Sequence, residues 1–285
     1  MIDIYMLQQL KTFAECGTLS EAAEILNTSQ PSLTRSMKRL EDEVGVTLFT
    51  RSKNHLGLTP TGKIAADYAA QLLSVTQDFE SRVRAYDRSL HTLSIGFCAP
   101  VPQTVLTPII NTVFDGMTVS SDMTDDDDFL LKLRNHTYQL AVTHYEPEDP
   151  LFYSKKIGHE SLFISLTPGN PLAFYPEVHL QDLDGMTILL LSRIGFWSKM
   201  HREKTPNSKY LIQLETDSIL ELASNSEYPV FSSSYYISRG EVFPGRINIP
   251  IVDEECSTDF YLVCLASEKG KYSPLFKRVH ENTIL

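Results

Sequence analysis

Six polar or basic side chains lie close together in residues 30–39, and they are of the types that bind nucleic acid. Glutamine can form two hydrogen bonds to adenine, arginine can form two to guanine, and serine or threonine can bond a base edge or a phosphate. A solvated amphipathic helix shows the same residue types, so the flanking elements decide between the two interpretations. The six residues are Gln30, Ser32, Thr34, Arg35, Lys38 and Arg39.

A helix over residues 29–43 is expected to carry these side chains on one face. Pro31 falls in its first turn, where the missing N–H breaks no hydrogen bond, and Ser29 or Thr28 is the expected cap. The apolar residues that recur at helical spacing predict the opposite, buried face. They are Leu33, Met37, Leu40 and Val44.

Two shorter helices are predicted before this one. The apolar spacing indicates a first helix over residues 3–16, which Gly17 can end because glycine adopts positive φ without a steric cost. Thr18 begins a capping box with Glu21 for the second helix, although Ser20 could cap it instead. The small residues 22–23 would let the two helices approach closely, which is typical of a helix-turn-helix.

A hairpin is expected after the third helix. Residues 47–51 and 56–59 read as two short strands, and the segment between them suits an exposed wing tip. Arg51 and Lys53 could then reach the sugar-phosphate backbone, which positions a protein on DNA without specifying sequence. Two ordinary surface cations are the alternative. The order of elements predicts a winged helix-turn-helix.

A long helix is predicted to begin at Thr59-Pro60, with the threonine as cap and the proline in its first position. It extends for about 28 residues, and its apolar positions have an average spacing near that of an eleven-residue repeat, so the seam is almost straight. A seam this long cannot be buried by the small domain before it, and we expect it to pair with a second copy. The seam residues are Ile64, Tyr68, Leu72, Val75, Phe79, Val83 and Tyr86.

The N-terminal sixty residues resemble the signature of LysR-type transcriptional regulators. The residues that carry the resemblance are Phe13, Ala22-Ala23, Leu26, Ser29-Gln30-Pro31-Ser32, Arg35, Leu40-Glu41, Gly45-Val46, Leu48-Phe49-Thr50-Arg51 and Leu58-Thr59-Pro60-Thr61-Gly62. By this resemblance Gln30, Pro31, Ser32, Thr34 and Arg35 line the major groove, and Arg51 and Lys53 sit on the wing. The resemblance also implies a dimer of dimers on a partly palindromic operator, with RNA polymerase as a further candidate partner.

The net charge of −11 is distributed unevenly along the 285 residues. Residues 1–90 carry 10 Lys and Arg against 11 Asp and Glu, whereas residues 91–285 carry 15 against 25. The electrostatic footprint of the DNA reader is therefore small and local, and binding is expected to depend on dimers or higher assemblies. No signal-like or membrane-spanning run is present in the sequence, so a cytoplasmic protein with no membrane partner is expected.

Neither a metal nor a cofactor is expected from the remaining polar motifs. The four cysteines lack metal-ligand spacing, and although Cys256 and Cys264 could suggest a redox pair, their surroundings favour reduced, structural thiols. The acidic run 125–128 precedes a predicted helix and lacks the glycine and distal glutamate of a calcium loop. Helix capping is therefore its expected role.

Residues 91–285 alternate short apolar strands with helices, which predicts a parallel α/β sheet. The pattern resembles the effector domain of LysR-type regulators, two α/β subdomains like those of periplasmic binding proteins. The predicted fold class is thus α plus α/β, with a winged helix at 1–60, a linker helix at 61–90, and subdomains at 91–165 with 266–285 and at 166–265. The predicted strands are 93–97, 139–143, 162–166, 187–191, 210–215, 230–231 and 260–265, and the predicted helices are 105–114, 129–134, 196–202, 218–224 and 273–281.

A ligand is expected in the crevice at the carboxyl ends of the strands. The loop after the first strand contains two prolines, which lack N–H donors, so an apolar or aromatic effector is favoured over a small carboxylate, and a protein without a ligand remains an alternative. Each candidate could instead be an ordinary turn or cap residue. The candidates are Cys98, Ala99, Pro100, Gln103, Thr104, His144, Ser192, Phe196 and Ser232.

The combined prediction is a sequence-specific DNA-binding regulator that responds to a small molecule. A ligand-independent regulator is the first alternative, and a small-molecule-binding protein or an enzyme is the second. The sequence contains no glycine-rich phosphate loop, no G-x-S-x-G elbow and no histidine–carboxylate pair at motif spacing, so no catalytic residue is predicted.

Overall fold

A computed structural model describes residues 2–52, 55–124 and 128–284. The chain divides into two compact units, residues 1–84 and 85–285. Side chains at positions 51, 52, 55, 89, 201 and 202 lie outside the description. The division into three predicted parts stays a prediction, because the long helix belongs partly to each unit.

Three helices form the core of the first unit: α1 Ile4–Cys16, α2 Leu19–Ile25 and α3 Gln30–Val44. Thr18 caps α2 by accepting a hydrogen bond from the Glu21 N–H at 3.3 Å, so the capping-box threonine is confirmed over Ser20. Ser29 caps α3 in the same way. The side chains buried between the helices include Leu10, Phe13, Ala22, Leu33 and Leu40.

A two-stranded wing follows, with β1 Phe49–Ser52 antiparallel to β2 His55–Leu58. Helix α4, Pro60–Ser89, then extends for about 45 Å at 1.5 Å per residue. A Cβ at Gly62 would stand 2.0 Å from the Leu48 carbonyl oxygen, so only glycine allows this close approach between α4 and the start of the wing. Thr59 caps α4 by accepting a hydrogen bond from the Gly62 N–H at 2.9 Å.

The second unit is an α/β fold built on one continuous sheet. Its order is β4-β3-β5-β11-β6-β9-β7-β8, and β10 also pairs with β6. In chain order the elements are β3 Thr92–Phe97, α5 Pro100–Val113, β4 Thr118–Met123, α6 Phe129–Arg134, β5 Leu140–Thr143, β6 Phe152–Leu166, β7 Thr187–Leu191, α7 Trp197–Lys204, β8 Lys209–Gln213, α8 Thr216–Asn225, β9 Val230–Ser233, α9 Ser234–Ser238, β10 Ile247–Pro250, β11 Ser257–Leu265 and α10 Lys269–Arg278.

The long strand β6 joins two lobes of this unit. Its first ten residues pair with β11, which also pairs with β5, and these strands together with β3 and β4 form the first lobe. Residues 162–166 of β6 pair with β9 and β10, which form the second lobe with β7 and β8. Residues from both lobes, among them Phe97, Val142, Ile164 and Phe260, form one buried core.

The structure corrects several predicted boundaries. Strand 162–166 is only the end of the fifteen-residue β6. Strand β11, residues 257–265, pairs with β6 and, at residues 261–263, with β5 of the first lobe, although the sequence placed these residues in the second predicted subdomain. Helix α5 begins at Pro100 and not at residue 105, because a proline is accommodated in a first helical turn. Val44 was predicted to be buried but is 42% exposed at the end of α3.

Candidate DNA-binding helix and effector cavity

Helix α3 separates an apolar and a polar face as the sequence predicted. Leu33, Met37 and Leu40 are at most 1% exposed and pack on the other helices. Thr34 is half-buried, and the remaining predicted contact residues of this helix are exposed. These are Gln30, Pro31, Ser32, Lys38 and Arg39, together with Arg35.

The exposed polar side chains of α3 make weak contacts within the first unit. The Gln30 amide donates a hydrogen bond to Ser20 Oγ on α2. Arg35 Nε donates to the Pro31 carbonyl oxygen at 3.3 Å, and Arg39 Nε pairs with a carboxylate one turn further along the helix at 3.0 Å. Exposed contacts of this kind contribute at most about 1 kcal/mol each, so a nucleic acid can replace them.

Glu41 connects α3 to the wing, and the sequence did not predict this role. Its Oε1 accepts hydrogen bonds from the backbone N–H groups of Leu48 and Phe49, both at 2.9 Å. The C-terminal end of α3 is therefore tied to the start of β1. Of the two predicted wing cations, Arg51 lies on β1 but its side chain lies outside the description, and Lys53 lies wholly outside the described residues.

The second unit contains a cavity of about 460 Å³. Its walls come from the start of α5 in the first lobe, from β6, and from β7, α8, β9 and α9 in the second lobe. Most lining side chains are aliphatic or aromatic, which is typical of small-molecule sites. The lining residues include Pro100, Glu160, Leu189, Trp197, Ile219, Val230, Ser232, Ser233, Tyr236 and Glu241.

Only two of the nine predicted effector residues, Pro100 and Ser232, line this cavity. Cys98 and Ala99 are 0% exposed beneath it. Gln103 donates a hydrogen bond to Ser121 Oγ at 3.1 Å on the outside of α5. The Thr104 hydroxyl donates to the Pro100 carbonyl oxygen at 3.1 Å.

The other predicted residues meet beside the cavity. The rings of His144 and Phe196 are stacked with centroids 4.1 Å apart, and Trp197 packs on Phe196. The Phe196 N–H donates a hydrogen bond to the Cys98 carbonyl oxygen at 2.9 Å, so protein side chains fill the space in front of β3. Ser192 is exposed at the end of β7.

Gly195 permits this contact between the lobes. Its φ of +62° is in the left-handed region, and a Cβ would stand 1.9 Å from the Cys98 carbonyl oxygen. A substitution here would have to separate the two lobes at this point. The crevice that the sequence predicted is thus closed beside β3, and the open volume lies further into the second lobe.

Glu160 is the functional candidate that sequence reasoning missed. It lies on β6, is 2% exposed and contributes a carboxyl group to the cavity wall. Burial raises the pKa of Glu160 to about 7. The Ser233 hydroxyl lies near the carboxyl group and partly offsets that rise, although its geometry falls short of a regular hydrogen bond.

A hydroxyl–imidazole–carboxylate cluster lies outside the cavity. His159 Nδ1 is 2.8 Å from Asp259 Oδ1, and His159 Nε2 is 2.9 Å from Ser257 Oγ. The order resembles a hydrolase triad. However, Lys156 holds the other carboxylate oxygen of Asp259 at 2.6 Å, and His159 is exposed on a strand surface. We therefore assign the cluster to cross-strand bonding between β6 and β11.

The thiols have the environment of structural cysteines. Burial raises the pKa of both Cys256 and Cys264 to about 12. Among the described residues, no cluster of three His, Cys, Asp or Glu side chains could hold a metal ion; Asp125–Asp127 of the acidic run lie outside them. Within those residues, too, no helix has the length and apolar character needed to cross a bilayer.

A winged helix-turn-helix followed by a long helix and a two-lobed α/β unit defines a class of bacterial regulatory proteins. Comparison with known families identifies which one. Residues 4–63 match the model for bacterial regulatory helix-turn-helix proteins of the lysR family, and residues 87–277 match the LysR substrate binding domain. The chain belongs to the LysR family.

The chain is similar to several proteins named as HTH-type transcriptional regulators. The HTH-type transcriptional regulator YtlI of Bacillus subtilis is 31% identical over 62% of this chain and 59% of its own length. TfdS of Cupriavidus pinatubonensis is 32% identical over 55% and 56%, respectively. The matched segments thus span little more than half of these relatives. A full-length OxyR variant from Pseudomonas aeruginosa shares the fold, with 20% identity, a TM-score of 0.50, and coverage of 98% of this chain and all of the other.

Proposed function

We propose that this chain is a sequence-specific DNA-binding transcriptional regulator controlled by a small molecule. The exposed polar face of α3 is the observation that carries the proposal. Arg35 and its neighbours project from a helix whose other face is buried and whose ends are fixed by Ser29 and Glu41. A rigid helix with guanidinium and amide groups on its free face suits direct readout in the major groove.

The same proposal includes self-association through α4. The seven seam residues of this helix are between 53% and 65% exposed in the single chain. A continuous apolar face of this length marks an interaction surface. Pairing it with a second copy would give a dimer with two reading helices, matched to a partly palindromic operator, and a tetramer would follow from a second contact between dimers.

A small molecule in the 460 Å³ cavity is the proposed controlling signal. The cavity is lined by both lobes, so a bound ligand would contact residues whose spacing changes if the lobes move. To act as a switch, the ligand must bind two arrangements of the protein with different affinity. DNA binding would place the protein in the bacterial cytoplasm, and no enzymatic activity is proposed.

The test is selection of the full chain on a library of random-sequence DNA duplexes. We expect enrichment of a motif with two related half-sites whose centres are about one or two helical turns apart. Recovery of unrelated sequences after repeated rounds at physiological salt would contradict specific readout. A motif with only one half-site would support sequence-specific DNA binding but would contradict the proposed dimer.

A further inference from the structure

The cavity of the second unit combines an apolar wall with one buried acidic group. Leu189, Ile219 and Val230 are at most 5% exposed and form part of the wall, and Trp197 adds an aromatic surface. Glu160 projects from β6 into the same space. A carboxyl group in such a wall loses its hydration, which is unfavourable unless a partner replaces the water.

The protein supplies no adequate partner for this carboxyl group. Glu160 Oε2 is buried and makes no hydrogen bond with any described residue. The Ser233 hydroxyl lies near the carboxyl group, and the Tyr236 phenol is close enough to interact with it electrostatically. Native structures pair most buried polar atoms, so an unpaired carboxyl oxygen on a residue that lines a cavity indicates a position for a ligand's donor group.

The charges around the cavity favour a positively charged donor. Among the residues whose side chains the structure describes, no Lys, Arg or His lines the cavity, and a second carboxylate, Glu241, lies at an exposed lining position. Tyr236 contributes a hydroxyl group, and burial raises the pKa of that phenol, so it remains neutral. Arg239 pairs with Glu241 at 3.0 Å, so Glu160 is the acid of this wall that lacks a counter-charge among the described residues. A carboxylate ligand would be repelled by Glu160, whereas a cation would satisfy it.

We propose that the effector is a small amine with an apolar or aromatic body, whose ammonium group forms an ion pair with Glu160. The body lies against Leu189, Ile219 and Val230, and the Ser232 and Tyr236 hydroxyl groups are available to the remaining N–H donors. A charge-assisted hydrogen bond of this kind gains strength in a site of low dielectric. This inference rests on the proposed role of the cavity as the effector site.

The volume agrees with a molecule of one or two rings. A cavity of about 150 Å³ holds benzene, so 460 Å³ accommodates a ring, a short chain and an amino group with room to spare. Long polyamines do not fit this description, because their additional charges would lie against the aliphatic wall.

The experiment measures binding of three probes to the full chain by calorimetry at pH 7.5. The probes are 2-phenylethylamine, 2-phenylethanol and phenylacetate, which share a ring and differ in the polar group. We expect the amine to bind about tenfold or more tightly than the alcohol, and the carboxylate to bind most weakly.

Two variants test the position of the amine. Glu160→Gln should weaken amine binding by about tenfold or more and leave binding of the alcohol nearly unchanged. Glu177→Gln, an exposed glutamate away from the cavity, is the matched control and should bind the amine as the wild type does. Leu220→Trp, at a partly exposed lining position, should obstruct the cavity and reduce binding of both amine and alcohol.

Equal binding of the three probes, or amine binding that survives Glu160→Gln, would overturn the inference. The selection experiment on random-sequence DNA requires no ligand. Its result therefore tests the proposed function independently of whether the amine binds. A chain that selects a DNA motif but does not prefer the amine would remain a regulator with another effector class or none.

Discussion

Glu160 lies in surroundings that oppose its charged form. Its carboxyl group faces aliphatic side chains, and burial raises its pKa from an ordinary value near 4.5 to about 7. The folded protein therefore holds a proton that the unfolded chain releases between these two values. Stability at neutral and alkaline pH is lower than it would be without this residue, which is a common cost of a functional group in a binding site.

Replacing Glu160 by glutamine is expected to stabilise the protein in a pH-dependent way. The free energy of unfolding should rise by up to about 3 kcal/mol at pH 8, where the wild-type carboxyl is ionised in both states. At pH 5 the gain should fall below about 1 kcal/mol, because the folded wild type is then protonated. Thermal unfolding of the full chain at the two pH values, without ligand, measures the difference.

The control for this prediction is Glu177→Gln, which removes an exposed carboxylate away from the cavity. Tyr236, the other titratable group of the lining, stays neutral over this range because burial raises its pKa. A stability gain from Glu160→Gln that is equal at pH 5 and pH 8 would contradict the assigned pKa.

Sequence reasoning located part of the site at the scale of residues. The exposed face of α3 was predicted correctly because base-binding side chains and the apolar spacing lie within one helix. Glu160 was missed because a single glutamate between apolar strand residues has no local pattern, and its significance comes from strands that are distant in sequence. Cys98 and Ala99 were chosen by position in a loop, but the packing of Gly195 covers them.

Helix α4 is the element whose exposed surface most requires a partner. Its seam is apolar over seven positions, and Val75 and Phe79 are each 65% exposed. The helix forms about eight turns, and burial of this face would stabilise association by removing apolar surface from water. The sequence predicted both the helix and its seam, because a single period continues over the whole segment.

Val75→Asp should weaken the dimer without unfolding the chain. The aspartate would be buried against a second apolar seam without a partner, which raises the dimer dissociation constant by about tenfold or more. In the single chain the position is exposed, so the fold should be retained. Size-exclusion chromatography with light scattering, across a range of concentrations, measures the change.

Gln77→Asp is the matched control, since this exposed residue lies two positions from Val75 and on the other side of the helix. It adds the same charge and should leave the dimer intact. An unchanged assembly in the Val75 variant would place the dimer interface elsewhere.

Elements with a strong local signal were predicted and those without one were not. The caps at Thr18 and Ser29 follow from residue type and spacing, and the structure confirms both. Strand β6 was predicted too short because Lys155, Lys156 and His159 interrupt its apolar pattern. Strand β4 is mostly polar and was not predicted, since its place is set by pairing with β3.

At the scale of the whole molecule, Cys256 and Cys264 are too far apart to form a disulfide. Cys256 directly precedes β11, and Cys264 lies eight residues further along the chain within this strand. An extended strand rises by about 3.3 Å per residue. The two Cα atoms are thus about 26 Å apart, whereas a disulfide requires less than about 7 Å. Burial also keeps both thiols protonated, because their pKa values are raised to about 12.

Hydrogen peroxide should therefore not link Cys256 to Cys264. After brief exposure of the folded chain, followed by denaturation, both thiols should still react with an alkylating reagent, and peptide mass mapping measures this directly. Cys256→Ser and Cys264→Ser should retain the DNA motif of the wild type. A peroxide-dependent 256–264 disulfide would require a large rearrangement of β11 and would contradict the structure.

The net charge differs between the N-terminal ninety residues and the rest of the chain. The acidic excess lies after residue 90, and the N-terminal ninety residues are nearly neutral. A DNA-binding domain with few cations gains little from phosphate contacts alone, so under the proposed function specific contacts and pairing would supply most of the affinity. The charge difference can be read from the composition of the sequence. The cavity could not be predicted in this way, because it depends on how both lobes pack around β6.

The reading of DNA by α3 can be tested with two duplexes of equal length and base composition, one carrying the selected motif and one scrambled. Fluorescence anisotropy at about 0.15 M salt measures their affinity for the full chain, for Arg35→Ala and for Arg84→Ala, whose arginine is exposed on α4. We predict that the wild type and Arg84→Ala prefer the motif by about 100-fold or more, and that Arg35→Ala loses about 1–3 kcal/mol of this preference. Equal affinity of the wild type for both duplexes, or an unchanged preference in Arg35→Ala, would contradict the account.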